Sequence, residues 1–199
     1  AKAIPCKWVF DYKLDAAGAI TRYKARLVAK GFRQREGIDY TEVFAPVSKY
    51  TTLRALLALA AGADLELHQL DIKTAFLNGN LSETIYIEQP PGYSNGDPTI
   101  AGRLHKSIYG LKQASRTWYE TLAATLINAG YKPSTADPSL FISPSGCAYL
   151  LVYVDDVLIA APPNSDDLTA AKTLVLSSFE ARDLGAASLF LGMLITRDR

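Results

Sequence analysis

The stretch "AYLLVYVDDVLIAA", residues 148–161, places Asp155 and Asp156 side by side in an otherwise continuous apolar run. An ionised carboxylate taken out of water is costly unless a partner or a metal compensates it, and two adjacent ones also repel each other. A third acid, Asp71, sits near the end of the apolar segment "DLELHQLDI". Carboxylates from distant sequence that converge on one sheet edge suit magnesium, which takes oxygen ligands, and two such ions about 4 Å apart stabilise both oxygens of an in-line phosphoryl displacement. Two plainer readings compete with this one. Asp-Asp is common in hairpin turns, and Asp71 followed by Lys73 could be a surface ion pair or a helix cap. The strands must bring Asp71 to the pair for the chemistry to exist.

Charge along the chain is uneven. Residues 1–36 carry nine Lys or Arg against three acids, a net +6, while the remainder holds 12 basic and 17 acidic side chains. Such asymmetry hints at contact with a polyanion, although a solvated charged hairpin would look the same. The 199 residues, 49% hydrophobic, are enough for one large domain or two small ones. No apolar run reaches the roughly 18 residues of a membrane span, and "AKAIPCKWVF" lacks the apolar core of a signal peptide, so an intracellular setting is expected. Cys6 and Cys147 lack metal-ligand spacing and read as small apolar residues.

The elements that would position these groups can be read from the spacing of apolar residues. "KWVFDYKLDAAGAITRYKARLVAKGF" predicts two strands joined at "DAAG", with Lys24 and Arg26 two apart on one face. Leu53, Leu56, Leu57 and Ala60 predict a helix ending near Gly62. A strand ending near Asp71 follows, then an Asn-Gly turn, the strand "TIYIEQ" and a loop over residues 94–102. A second helix is expected from Ser115, acting as N-cap, with Trp118, Leu122 and Leu126 on one face and Gly130 as terminator. "SLFISPSGCAYLLVYV" predicts a hairpin, followed by another whose two-residue connection is Asp155-Asp156. "NSDDLTAAKTLVLSSFE" predicts a helix with Leu168, Ala171, Leu174 and Val175 on one face, and "SLFLGMLITRD" a closing strand. The fold class implied is α+β, a mostly antiparallel sheet packed on helices.

Five blocks, in this order, resemble the copia-type reverse transcriptases of LTR retrotransposons. They are "YKARLVAKGFRQREGIDYTEVFAPVSKYTTLRALLALAA", "LHQLDIKTAFLNG", "LHKSIYGLKQASRTWY", "YVDD" and "LFLGMLI". The likeness covers nearly the whole chain. It implies the fingers and palm of a right-hand polymerase, fingers mainly residues 1–62 and about 77–112, palm mainly 63–76 and 113–199, without thumb or ribonuclease H. Carried over residue by residue, Asp71, Asp155 and Asp156 match the catalytic triad, and the carbonyl of Ile72 assists in holding two Mg2+ ions, for which Mn2+ can substitute. Lys24 and Arg26 match cations that hold the incoming triphosphate, an Arg being able to grip phosphate bidentately. Lys73, Thr74, Ala75 and Gln113 fall in nucleotide-facing motifs.

Phe76 matches an aromatic gate whose ring would collide with a ribose 2′-hydroxyl. Tyr109, Gly110 and Tyr153 match template and primer contacts, and Leu191, Gly192 and Met193 the primer grip. Arg182 lies where the family often has a base near the leaving pyrophosphate; an arginine there would supply charge rather than a proton. His68 and His105 match no catalytic role.

The implied activity is RNA- and DNA-templated addition of deoxynucleotides to a primer 3′-hydroxyl. The implied partners are RNA template, DNA primer and dNTP, with no membrane. In the parent Pol polyprotein, ribonuclease H and integrase would accompany it, in a cytoplasmic virus-like particle. The rival reading is a catalytically inactive nucleic-acid-binding relic of such an element.

Overall fold

The computed structural model describes residues 2–15 and 17–198. Ala16, inside the expected "DAAG" turn, therefore lies outside the described residues. The chain divides into two compact units, residues 1–44 with 76–118 and residues 45–75 with 119–199, so neither is continuous in sequence.

In the first unit, β1 (Cys6–Leu14) and β2 (Ile20–Ala29) form an antiparallel ribbon. Its strict alternation sends Trp8, Phe10 and Tyr12 to one face and Lys7, Val9, Asp11 and Lys13 to the other. A second antiparallel pair is β4 (Asn80–Glu88) with β5 (Ala101–Lys106). The loop expected over 94–102 therefore gives way to strand at Ala101. A small core of Ile4, Ala29, Ile85, Leu111 and Ala114 closes this unit, with Phe76 packed against it.

The second unit is built on a six-stranded sheet in the order β10-β3-β9-β8-β7-β6, every pair antiparallel. In chain order the strands are β3 (Glu66–Ile72), β6 (Lys132–Pro133), β7 (Leu140–Ile142), β8 (Tyr149–Tyr153), β9 (Asp156–Ala161) and β10 (Ala181–Ala186). The apolar run that frames the aspartates is explained by burial on both sides, since β9 packs against both α1 (Tyr50–Gly62) and α3 (Asp166–Ser178). A strand covered on both faces reads as an unbroken hydrophobic segment. Leu53, Leu56 and Ala60 of α1 join Leu151, Leu158, Ala160 and Phe190 in one cluster. Leu168, Ala171 and Val175 are the buried residues of α3, and Ser165 caps it through a bond from the Leu168 amide.

Three further expectations are corrected, and one strand was not anticipated. The helix α2 (Ala114–Asn128) starts one residue before Ser115, which lies in its first turn instead of capping it; Trp118, Leu122 and Leu126 are buried as their spacing required. The hairpin connection is Val154-Asp155, because Tyr153 pairs with Asp156 and leaves Asp156 as the first residue of β9. The closing segment is a hairpin, β11 (Leu189–Phe190) and β12 (Met193–Leu194), since Leu191 and Gly192 both take positive φ, +48° and +79°. The edge strand β10 was not expected at all.

The N-terminus of α1 is held from far away. Lys49, its N-cap, makes no side-chain cap of its own. Asp137, 2% exposed, accepts instead from the Lys49 amide (3.1 Å), the Thr52 hydroxyl (2.6 Å) and the Ser139 amide (2.9 Å). Burial pushes the Asp137 pKa up, but the hydrogen bonds from Thr52, Lys49 and Ser139 outweigh it and leave the group below its ordinary value. A carboxyl depressed by folding adds stability above its unfolded pKa, and that stability is lost as pH falls through the folded one. Asp137→Asn, which sets an amide donor against donors, is expected to cost about 1.5–3 kcal/mol at neutral pH. Denaturant titrations across the acid range should also show a flatter acid limb for the variant. An unchanged limb would mean that Asp137 is not the group that titrates.

Candidate active site

The register of β3 against β9 sets Asp71 directly opposite Asp156, which in an antiparallel pair puts their Cα atoms about 5 Å apart and their side chains on one face. Asp155 precedes Asp156 in the turn, and its carbonyl accepts the Ile72 amide at 2.7 Å, tying the turn to the end of β3. The three acids thus arrive from two strands and one turn. Asp155 is exposed, whereas Asp71 and Asp156 are half-buried. Asp156 accepts from Gln69 Nε2 at 3.0 Å. Its pKa is raised, first by burial, against the lowering effect of the Gln69 bond, and further by the charges of Asp155 and Asp71. The carboxylates therefore feel one another. Among the described residues they are nonetheless not drawn into a group of three that could hold a metal ion.

The row continues across the sheet. Arg182 of β10 stands opposite Asp71, and Tyr153 of β8 opposite Asp156. Tyr153, Leu191 and Met193, three of the expected template and primer residues, all pack on the cluster that contains Leu158 and Phe190. Val154 adopts φ +55°, a strained conformation for a β-branched residue, which sharpens the turn that presents Asp155. Beyond Ile72, itself buried, Lys73 pairs through its ammonium with Glu180 and through its amide with the Glu180 carbonyl. Thr74 has φ +51° and Ala75 is buried.

The other expected site residues belong to the first unit. Lys24 and Arg26 share a face of β2, where Arg26 meets Asp11 at 3.9 Å. The Tyr109 ring supports two of them: Phe76 stacks edge-on to it with centroids 5.1 Å apart, and the Arg26 guanidinium lies 5.7 Å from its centre. Gly110 does make a close approach, to Ala29 of β2. Gln113 departs from expectation. It is 1% exposed, donates to the Asp39 carbonyl (2.9 Å) and accepts from Gln34 (2.9 Å), so its amide is engaged within the unit instead of open to a ligand. Sequence reasoning passed over Gln69 and Gln34, both short polar partners of a candidate site residue. Gln69 was findable, since it shares a strand face with Asp71.

Comparison with known proteins places this geometry in a family. The model of the reverse transcriptase (RNA-dependent DNA polymerase) family matches residues 1–199. A retrovirus-related Pol polyprotein from transposon TNT 1-94 of Nicotiana tabacum is 45% identical over 202 residues, covering 100% of this chain and 15% of that protein. The corresponding polyproteins from transposons RE2 and RE1 of Arabidopsis thaliana are 47% and 42% identical, over 78% and 96% of this chain but only 11% and 13% of their own lengths. The chain thus spans less than a sixth of each of these relatives. It belongs to the reverse transcriptase family, of the copia type that its five sequence blocks resemble.

Proposed function

We propose that this chain is the fingers and palm of an RNA-directed DNA polymerase that adds deoxynucleotides to a primer 3′-hydroxyl on RNA or DNA templates. The observation that carries the reading is the register that sets Asp71 opposite Asp156, with Asp155 beside them, in a chain of this family. The expected palm, residues 63–76 and 113–199, falls mostly in the second unit, whose sheet bears the aspartates, but that unit also takes in residues 45–62, α1 included, which the expected bounds gave to the fingers.

Asp71, Asp155 and Asp156, with the Ile72 carbonyl, offer oxygen donors of the kind magnesium or manganese takes, once the three side chains close on an ion; burial first, and then the charges of Asp155 and Asp71, raise the Asp156 pKa, and a cation there would offset those neighbouring charges. Divalent ions held by these residues would supply charge stabilisation to the attacking and leaving oxygens. The chain's own groups do the rest. Lys24 and Arg26 neutralise the triphosphate, Lys73, Thr74 and Ala75 shape the nucleotide's bed, and Phe76 excludes the ribose 2′-hydroxyl. Gln113 holds the motif in place from within, and Tyr109 fixes the directions of Phe76 and Arg26. Gly110, Tyr153, Leu191, Gly192 and Met193 contact template and primer. Because binding is mostly to phosphate, it should weaken steeply with salt.

Primer extension by this chain, with magnesium and an RNA template, tests the reading; binding of template without any extension would instead favour an inactive relic. Within that assay Phe76→Ala is expected to raise ribonucleotide use relative to deoxynucleotide by about ten- to a hundredfold, the scale of one lost steric exclusion in a pocket. Unchanged sugar discrimination would remove Phe76 from the role of gate.

A further inference from the structure

Residues 107–113 link β5 to α2 and carry Tyr109, the ring that supports both Phe76 and Arg26. A link outside strand and helix has no ladder of its own, so its shape depends on bonds to other segments. Its first half is tied through backbone: the Ser107 amide donates to the Gly79 carbonyl (2.8 Å), and the Tyr109 carbonyl accepts from the Ala29 amide (2.8 Å). Its second half is tied by side-chain amides. Gln34 Oε1 accepts from the Lys112 amide (2.7 Å), and Gln34 Nε2 donates to Gln113 Oε1 (2.9 Å). Gln113 in turn donates to the Asp39 carbonyl (2.9 Å), and the Asp39 carboxylate is held by the Arg35 amide (2.8 Å) and Nε (3.2 Å). Gln34 and Asp39 are 6% and 7% exposed, so these bonds are made away from water, where a lost partner is not replaced. The lock also has a direction. Turned over, the Gln34 amide would set its NH2 against the Lys112 N–H and its oxygen against Gln113 Oε1. Nor is there slack between the backbones, since a Cβ on Gly31 would collide with the Gly110 carbonyl oxygen.

We propose that Gln34 is a positioning residue for sugar selection: by fixing Lys112 and Gln113 it fixes Tyr109, and through the Tyr109 ring it aims Phe76. Gln34 itself touches no substrate. Lys112 lies three residues beyond Tyr109, and the turn between them is closed by the Leu111 amide on the Ile108 carbonyl (3.3 Å), so a shift at Lys112 is passed back along the link. The Phe76 ring meets Tyr109 edge-on, an arrangement that depends on direction, and a turned Tyr109 therefore turns the ring that excludes the 2′-hydroxyl. Arg26 rests on the same ring, but the triphosphate it neutralises is common to both sugars, and its displacement cancels from their ratio. The inference deepens the polymerase reading and rests on it. A merely structural Gln34 would, when replaced, slow both sugars alike.

The test measures kcat/KM for a ribonucleotide and for its deoxynucleotide counterpart in primer extension by this chain, unaltered and as Gln34→Met, Phe76→Ala and the double variant. Methionine matches glutamine in length but brings no amide to the lock. Gln34→Met is expected to raise the ribonucleotide-to-deoxynucleotide ratio by about three- to tenfold, on the scale of coupling between residues in contact, and to add nothing to it once Phe76 is replaced. Gln34→Asn keeps the amide but withdraws it by one methylene; it should give the same pattern with a smaller rise, and serves if the Met form does not fold. The proposal is overturned if the ratio stays at its unaltered value in whichever form folds, or if the Gln34 and Phe76 effects multiply in the double variant. Failure of both forms to fold would make Gln34 a structural residue and overturn it as well. Absence of extension by the unaltered chain would instead overturn the polymerase reading, and this inference with it.

Discussion

Asp155→Asn is expected to lower the rate of primer extension by at least on the order of 10²–10³-fold, the scale on which one preorganised charge-stabilising group acts in a transition state. Folding should survive the change. The Asp155 side chain is exposed, and its structural bond, from the Ile72 amide, is made through its carbonyl, which Asn retains. A melting temperature within a degree or two of the unaltered enzyme, together with lost extension, is therefore the expected pair of results. Asp71→Asn should be comparable. Asp156→Asn should cost less, because Asp156 has one oxygen already occupied by Gln69 and is partly withdrawn from solvent. If Asp155→Asn extends primers as fast as the unaltered enzyme, Asp155 has no part in the reaction.

Gly110→Ala is expected to destabilise the first unit by about 3 kcal/mol, since two costs add. Gly110 has φ +88°, in a region that side chains disfavour. A Cβ placed there would sit 2.2 Å from the Ala29 carbonyl oxygen and 2.6 Å from a Val28 methyl. Neither obstacle can swing aside. The Ala29 amide is bonded to the Tyr109 carbonyl at 2.8 Å, so the two segments cannot part without losing that bond. Since Tyr109 supports Phe76 and Arg26, the variant should also loosen nucleotide selection. Chemical denaturation gives the stability; a variant as stable as the parent would mean that the backbones separate freely at this point.

How far the sequence reveals all this depends on the range of the interaction concerned. The three helices were legible because each carries its own apolar spacing, as Leu53–Leu56–Ala60 and Trp118–Leu122–Leu126 show. The strand β10 was hidden: "ARDLGA" is a charged edge strand containing glycine, with no alternation to betray it. Turn chemistry misled at the aspartates, since a rule favouring Asp in turns cannot anticipate Val154 at positive φ. The acids themselves stood out because charge inside an apolar run breaks the pattern. Their meeting could be inferred only from chemistry, for the Asp71–Asp156 register depends on pairing between distant strands. Asp137 as the cap of α1 was invisible for the same reason, as was the buried state of Gln113.

The interleaving of the two units has a consequence for biosynthesis. A nascent chain emerging from the ribosome presents β2 long before the Tyr109 carbonyl that anchors Ala29 exists, and β3 waits still longer for Asp156 and then for Arg182. Closures over such separations are slow compared with helix formation. The end of β2 at Ala29 and the edges of β3 must therefore stay unpaired while the rest is translated, which makes early segments of this chain natural clients for chaperones and makes nonsense fragments ending before residue 114 prone to clump.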